Sequence, residues 1–124
     1  MASVAGTRVL VADDDARLAE LISRYLIMEG YEVETVADGL AAVERATAEP
    51  PDLVILDIMM PGIDGLEACR RIRANLATAE LPVLVVSALG EEEATARRAG
   101  ASATLKKPFV LPVLGRAVEG LTGR

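Results

Sequence analysis

Short apolar runs alternate with longer segments of helical spacing along the whole of this 124-residue chain. The apolar runs predict strands at residues 8–12, 31–36, 53–56, 82–86 and 102–105. A strict strand–helix alternation is typical of a parallel sheet covered by helices on both faces. We therefore predict one α/β domain over residues 1–124, with its core at about 8–121.

Three of the five predicted helices have clear apolar stripes, and the other two are predicted at about 40–48 and 91–99. Gly30 and Gly100 stand where the first and fourth helices should end. The stripes consist of Leu18, Leu21, Ile22, Tyr25 and Leu26 in the first helix, Leu66, Cys69, Ile72 and Leu76 in the third, and Val113, Leu114, Ala117, Val118 and Leu121 in the fifth.

The composition of the strands predicts their order in the sheet. The first, third and fourth runs are almost entirely apolar, as expected for strands buried on both faces. The second alternates Glu32, Val33 and Glu34, and the fifth is short and polar, so both are predicted to be edge strands. With right-handed crossovers, these edges fit a flavodoxin-like, doubly wound sheet of order 2-1-3-4-5.

Composition and charge exclude several classes of function. The net charge of −6, without a basic stretch, argues against direct binding of nucleic acid. Histidine is absent, which excludes a histidine metal site, a Ser-His-Asp triad and a phosphohistidine on this chain. The single cysteine, Cys69, fits a reducing compartment, and the apolar runs are too short to span a bilayer. We therefore predict a cytoplasmic protein without a membrane segment.

Polar side chains collect at the carboxyl ends of the predicted strands. Ligands of open parallel sheets bind beyond these ends, at the crevice where neighbouring strands diverge. The inferred order makes strands one, three, four and five neighbours, so their ends should converge on one shallow pocket. The residues at these ends are Asp13, Asp14 and Asp15 after the first strand, Asp57 after the third, Ser87 after the fourth, and Lys106 and Lys107 after the fifth.

Clustered carboxylates repel one another, and this repulsion indicates what the pocket should bind. Mg²⁺ takes oxygen ligands and retains several waters, whereas the lack of histidine and cysteine in the set makes zinc a poor fit. A lysine ammonium can neutralise part of the remaining charge. Metal, lysine and hydroxyl are also what a transferring phosphoryl group requires. Asp57 is the predicted nucleophile, because a carboxylate can form an acyl phosphate.

Each of these residues also has a simpler structural interpretation. Asp15 is most simply the N-cap of the first helix, and the two acids before it could cap as well. Ser87 alone could be an ordinary strand end, and Lys107 alone an ordinary surface lysine. Asp57 is different, because a carboxylate that directly follows Val-Ile-Leu is costly without a partner.

Taken together, four motifs resemble the receiver domain of two-component response regulators. They are Asp13-Asp14 after Val-Leu-Val-Ala, Asp57-Ile-Met-Met-Pro-Gly-Ile-Asp-Gly, Ser87-Ala and Lys107-Pro-Phe. Each motif alone is weak, but all four occur in order and at compatible spacing. The resemblance extends over roughly residues 8–121.

The resemblance implies a magnesium site with four protein groups. Asp14 looks like the direct carboxylate ligand, and Asp13 looks like its partner that acts through metal-bound water. Asp57 also contacts the metal in this family, and the backbone carbonyl of Met59 falls at the position of a further protein ligand. Apolar Met59 and Leu89 would flank the pocket.

The resemblance also implies how a phosphoryl group is held. Asp57 corresponds to the phosphoacceptor, Ser87 to the hydroxyl that turns toward the phosphoryl group, and Lys107 to the invariant lysine. The bond between Lys107 and Pro108 corresponds to one that is cis in the family. Two features depart from the pattern: Thr104 stands where many members have an aromatic switch residue, and the segment from Ser87 to Gly100 is short.

The implied partners are a histidine kinase or phosphotransfer protein as donor, and a downstream protein or effector domain as target. The domain would be a regulator and not an enzyme, beyond promoting its own phosphorylation and dephosphorylation. It would be a monomer or a phosphorylation-dependent dimer. The sequence leaves open whether it acts alone or as part of a longer regulator or hybrid kinase.

Three other functions have specific sequence requirements. A magnesium-dependent phosphatase of the haloacid-dehalogenase type needs a second aspartate two residues after the first, where this chain has Met59. A flavodoxin-like electron carrier needs a phosphate loop after the first strand, where Asp13 and its neighbours would repel phosphate. A receiver-like scaffold that is not phosphorylated usually lacks one of the acids or the lysine, and this chain has them all.

Overall fold

The fold alternates strands and helices through the whole chain, as the sequence predicts. The computed structural model describes residues 6–88 and 93–123. The elements are β1 (Arg8–Ala12), α1 (Ala16–Met28), β2 (Glu32–Val36), α2 (Gly39–Ala48), β3 (Leu53–Asp57), α3 (Gly65–Ala74), β4 (Val83–Ser87), α4 (Glu93–Ala99), β5 (Ala103–Lys106) and α5 (Leu111–Thr122).

The five strands form one parallel sheet in the order β2-β1-β3-β4-β5. This confirms the predicted flavodoxin-like order. Every residue of β3 and β4 is buried, whereas no residue of β2 or β5 is fully buried, as expected for edge strands. In the register, Ala12 pairs with Leu56, Asp57 with Val86, and Ser87 with Lys106. The carboxyl ends of four strands therefore lie side by side.

Alternate strand residues build a separate hydrophobic core on each face of the sheet, because successive side chains of a strand point to opposite faces. On one face, Leu10, Val54, Leu56, Val83 and Val85 pack with α2, α3 and α4. On the other, Val9, Val11, Ile55, Leu84 and Val86 pack with α1 and α5. Both cores close around the central strands, so the strand ends that carry the polar side chains are rigidly supported.

Aspartate side chains cap three of the helices. Asp15 accepts hydrogen bonds from the backbone N–H groups of Arg17 and Leu18, at 3.0 and 3.2 Å, which confirms its prediction as an N-cap. Asp38 and Asp64 cap α2 and α3 in the same way. Such caps satisfy N–H groups that have no partner within the helix.

The predicted apolar stripes were wrong at two leucines. Helix α3 ends at Ala74, so Leu76 lies outside it and is 97% exposed. The side chain of Asn75 accepts a hydrogen bond from the N–H of Ala77 at 2.9 Å, a local contact that favours a turn over another helical residue. Leu21 lies within α1 but is 54% exposed, and the buried Ala19 faces the core instead.

Helix α4 is described from Glu93 onward, within the range predicted for it. The predicted start at Glu91 falls outside the described residues, as does Leu89. At the other end, Gly100 has a φ of +107°, and Gly30 after α1 has a φ of +102°, so both glycines end helices as predicted.

Two glycines within α5 should respond differently to substitution by alanine. Apart from the backbone of α5 itself and the two chain neighbours, no atom of the described residues lies within 4 Å of a Cβ placed at Gly120. We therefore expect Gly120→Ala to stabilise the fold by about 0.5–1 kcal/mol through helix propensity. At Gly115 the same Cβ would lie 2.9 Å from Cε2 of Tyr25. We expect Gly115→Ala to lose that gain, and urea denaturation of the two variants measures the difference. Equal stabilisation of both would contradict the packing described for Tyr25.

Candidate functional site

The carboxyl ends of β1 and β3 bring three carboxylates together. Asp13 and Asp14 follow β1 directly, and Asp57 is the last residue of β3. Each of the three offers an oxygen atom, and these oxygens all lie within 4.8 Å of one another. Asp13 and Asp57 are buried, whereas Asp14 is exposed. The cluster thus forms a shallow acidic pocket that opens to solvent on the side of Asp14.

Lys107, immediately after β5, places its ammonium against two of these carboxylates. Its Nζ lies 3.1 Å from Oδ2 of Asp57 and 4.0 Å from Oδ2 of Asp13. The backbone N–H of Lys107 donates to the carbonyl of Ser87 at 2.7 Å, which ties the end of β5 to the end of β4. The peptide bond from Lys107 to Pro108 is cis, in agreement with the resemblance noted above.

Asp13 is held by two hydrogen bonds of its own. Its backbone N–H donates to the carbonyl of Val36 at 3.1 Å, and its Oδ1 accepts from the N–H of Asp15 at 2.9 Å. Burial raises the pKa of Asp13 from 3.8 to about 6; the N–H of Asp15 opposes this shift, the charge of Asp57 adds to it, and Lys107 opposes it. Asp13 is therefore a carboxylate whose charge is poorly compensated.

The remaining predicted residues lie around this cluster. Ser87 is the last residue of β4 and is buried, with its backbone paired to Lys106. Lys106 itself is exposed. Met59, two residues after Asp57, is 70% exposed.

The cluster fits a hard divalent cation. Three carboxylates offer oxygen ligands within a small volume, and the exposed side at Asp14 leaves room for the waters that Mg²⁺ retains. A cation there would also offset the penalty that raises the pKa of Asp13. Zinc is disfavoured, because none of these ligands is nitrogen or sulfur.

One contact in the site was missed by sequence reasoning. Gly65 is the first residue of α3 and packs directly against the backbone of Asp57. The available signal was the repeated Asp-Gly pair at 38–39 and 64–65, since each aspartate caps a helix whose first residue is glycine.

Among the described helices, none is both long enough and apolar enough to cross a bilayer.

Comparison with known sequences places this chain in a family. The sequence profile described as "Response regulator receiver domain" matches residues 9–119. The DNA-binding dual master transcriptional regulator RpaA of Synechocystis is 37% identical over 119 residues, which cover 94% of this chain and 49% of RpaA. The response regulator MprA of Mycobacterium ulcerans is 40% identical over 94% of this chain and 50% of MprA. The chain thus spans about half the length of these curated relatives.

Solved structures agree with the fold over nearly the whole chain. The receiver domain of a sensor histidine kinase from Pseudomonas aeruginosa PAO1, described with a magnesium ion coordinated in its active site cleft, superposes with a TM-score of 0.89 at 31% identity, covering 97% of this chain and 100% of that domain. The chemotaxis response regulator CheY4 of Vibrio cholerae gives a TM-score of 0.88 at 30% identity, covering 93% of this chain and 98% of CheY4.

Proposed function

Because this chain belongs to the response regulator receiver domain family of two-component systems, we propose that it is a phosphorylation switch whose phosphoacceptor is Asp57. The observation that carries the proposal is the convergence on Asp57 of one ammonium and two further carboxylates. Lys107 Nζ is 3.1 Å away, and oxygens of Asp13 and Asp14 lie within the same 4.8 Å cluster.

The residues proposed to hold Mg²⁺ are Asp14 and Asp57 through their carboxylates, Asp13 through metal-bound water, and Met59 through its backbone carbonyl. The bound ion supplies positive charge to the oxygens of the transferring phosphoryl group. The acidic cluster supports this assignment, as does the magnesium ion described for the Pseudomonas aeruginosa receiver domain.

In the proposed transfer, a carboxylate oxygen of Asp57 attacks the phosphorus of a phosphohistidine on the partner protein. A P–O bond forms, the P–N bond breaks, and its electron pair remains on the imidazole nitrogen of the donor. Lys107 then pairs with a phosphoryl oxygen, and the hydroxyl of Ser87 donates to another. Hydrolysis of the acyl phosphate by water releases inorganic phosphate and restores the carboxylate, which resets the switch.

We propose that the backbone of the same two residues links the site to the surface. Ser87 pairs with Lys106 in the sheet, and the N–H of Lys107 donates to the carbonyl of Ser87. A change at the phosphoryl group would therefore bias the ends of β4 and β5 together, and with them the surface formed by α4, β5 and α5. Since Thr104 is the residue in β5 where many members carry an aromatic, we propose a switch that does not depend on a ring.

The donor is proposed to be a cytoplasmic histidine kinase or phosphotransfer protein, and the output a contact with a downstream protein or effector domain. The regulator would be a monomer or a phosphorylation-dependent dimer. Its chemistry would be limited to its own phosphorylation and dephosphorylation. Met59 stands where the haloacid-dehalogenase type of phosphatase needs a second aspartate, which disfavours turnover of phosphate esters.

Matched asparagine variants of two neighbouring aspartates test the proposed metal site. We expect Asp14→Asn to raise the Mg²⁺ concentration needed for phosphorylation by about tenfold or more, because it removes a charged ligand. Asp15→Asn should behave as wild type, since asparagine caps α1 as well as aspartate does. Intact-mass spectrometry after incubation with acetyl phosphate, across a Mg²⁺ series with a chelator control, measures both. Phosphorylation of the wild type that is unaffected by the chelator would overturn the proposed magnesium dependence.

A further inference from the structure

Two glycines hold the loop that follows Asp57, which we call the β3–α3 loop, residues 58–64. At one end of the loop, Gly65 meets the strand end. A Cβ on Gly65 would overlap the carbonyl oxygen of Asp57 and would lie 2.8 Å from its carbonyl carbon and 2.9 Å from Cα of Ile58. The N–H of Gly65 donates to the carbonyl of Ile58 at 2.9 Å. The first residue of α3 is thus in direct backbone contact with the proposed phosphoacceptor.

The other contact comes from α2. A Cβ on Gly39, the first residue of that helix, would lie 2.5 Å from the carbonyl oxygen of Ile63 and 2.8 Å from its Cγ1. Both glycines are buried, and neither has a positive φ. They are therefore required by space and not by backbone conformation, since helical φ values suit any residue.

Neither helix can retreat easily to make room for a side chain. The carboxylate of Asp38 accepts from the N–H of Ala41 at 2.7 Å, and that of Asp64 accepts from the N–H of Glu67 at 2.8 Å. These caps keep the first turn of each helix formed, so the glycines cannot move away by unwinding of the helix end. The buried alanines and Ile72 of the two helices pack in one core with β3. A side chain added at either glycine would consequently displace the loop or the strand end.

We propose that Gly39 and Gly65 are positioning residues that fix the β3–α3 loop, and hence the carbonyl of Met59, relative to the carboxylate of Asp57. The inference rests on the proposed function, because Met59 and Asp57 are its proposed metal ligands. Mg²⁺ demands nearly ideal octahedral geometry, so a small displacement of one ligand lowers its affinity. The two contacts act on different parts of the site: Gly39 on the loop alone, and Gly65 on the loop and on Asp57.

This division predicts two distinguishable defects. Gly39→Ala should raise the dissociation constant for Mg²⁺ by about tenfold, while the phosphorylation rate at saturating Mg²⁺ stays near the wild-type value. Gly65→Ala should raise the dissociation constant and also lower the rate at saturating Mg²⁺ by about tenfold or more, because the reacting carboxylate itself is displaced. Calorimetric titration of Mg²⁺ gives the affinity without any phosphodonor, and acetyl phosphate gives the rate.

A stability control separates positioning from general destabilisation. Gly120→Ala makes the same substitution where a Cβ meets no other element of the described structure, so it should leave Mg²⁺ affinity unchanged. The double variant Gly39→Ala/Gly120→Ala should regain part of the stability that Gly39→Ala loses, yet keep the weakened Mg²⁺ binding. Wild-type affinity in either Gly39→Ala protein would overturn the inference. If Gly65→Ala fails to fold, the Gly39 variants decide the question alone. Absence of Mg²⁺ binding by the wild type would instead refute the proposed function.

Discussion

Replacement of Asp57 by asparagine is expected to abolish phosphorylation of the chain. An amide has no carboxylate oxygen with which to attack phosphorus, so no acyl phosphate can form. The substitution keeps the shape of a side chain that is 7% exposed, and the sheet pairing of residue 57 with Val86 involves only backbone. The loss should therefore be complete while the fold is retained, which circular dichroism and urea denaturation can check.

Two nearby groups make this prediction specific. Asp13 and Asp14 remain in the variant, with oxygens inside the same cluster, and Lys107 keeps a carboxylate 4.0 Å away in Asp13. If any acid of the pocket could accept the phosphoryl group, the variant would still be labelled. Asp38→Asn is the matched control, because Asp38 is not one of the three clustered carboxylates and asparagine preserves its cap on α2. Labelling of Asp57→Asn at the rate of this control would contradict the assignment.

The second large effect concerns the stability of the metal-free protein. The pKa of Asp13 is about 6 in the folded chain, whereas its ordinary value is 3.8. Burial is the main cause of this increase, and the negative charge of Asp57 adds to it. Between these pH values the folded state binds more protons than the unfolded state, so this group lowers stability as pH rises through that window. A pKa shift of about two units corresponds to a loss of about 3 kcal/mol in the free energy of unfolding. Because the site is partly hydrated, we expect a loss of about 2 kcal/mol.

Asp13→Asn should remove that penalty. Metal-free Asp13→Asn should be more stable than the wild type by about 2 kcal/mol at pH 7.5, and the difference should vanish toward pH 4. The charged groups that face residue 13 are Asp14, Asp57, Lys107 and, across the groove beside α1, Glu20. These groups are the same in both proteins, so the difference in the free energy of unfolding reports on residue 13. Urea denaturation in chelator across this pH range measures it, and a difference independent of pH would contradict the account.

The architecture was predictable because each level of the sequence agreed with it. Strands that are buried on both faces are continuous apolar runs, as in β3 and β4. The polar residues of β2 and β5 indicate that these two are edge strands. The end of a helix depends on local hydrogen bonds that the spacing of apolar residues does not reveal. Leu76 matched the spacing of α3, but the helix stops at Ala74, where Asn75 caps a turn.

The residues of the candidate site were predictable for a different reason. Parallel strands end at one edge of the sheet, so the residues after each strand must be neighbours once the order is known. The sequence could not predict how burial and charge combine within the cluster, where they raise the pKa of Asp13. The close approach of Gly65 to Asp57 was also out of reach, because it depends on how α3 is seated against β3 in three dimensions.

The identity of the phosphorylated residue tests most directly whether Asp57 is the phosphoacceptor. Reduction of the phosphorylated wild-type protein with borohydride converts an aspartyl phosphate to homoserine, and peptide mass spectrometry then locates the altered residue. We expect homoserine at position 57 and at no other aspartate. Homoserine at position 13 or 14, or phosphate on a serine or threonine that survives reduction, would contradict it.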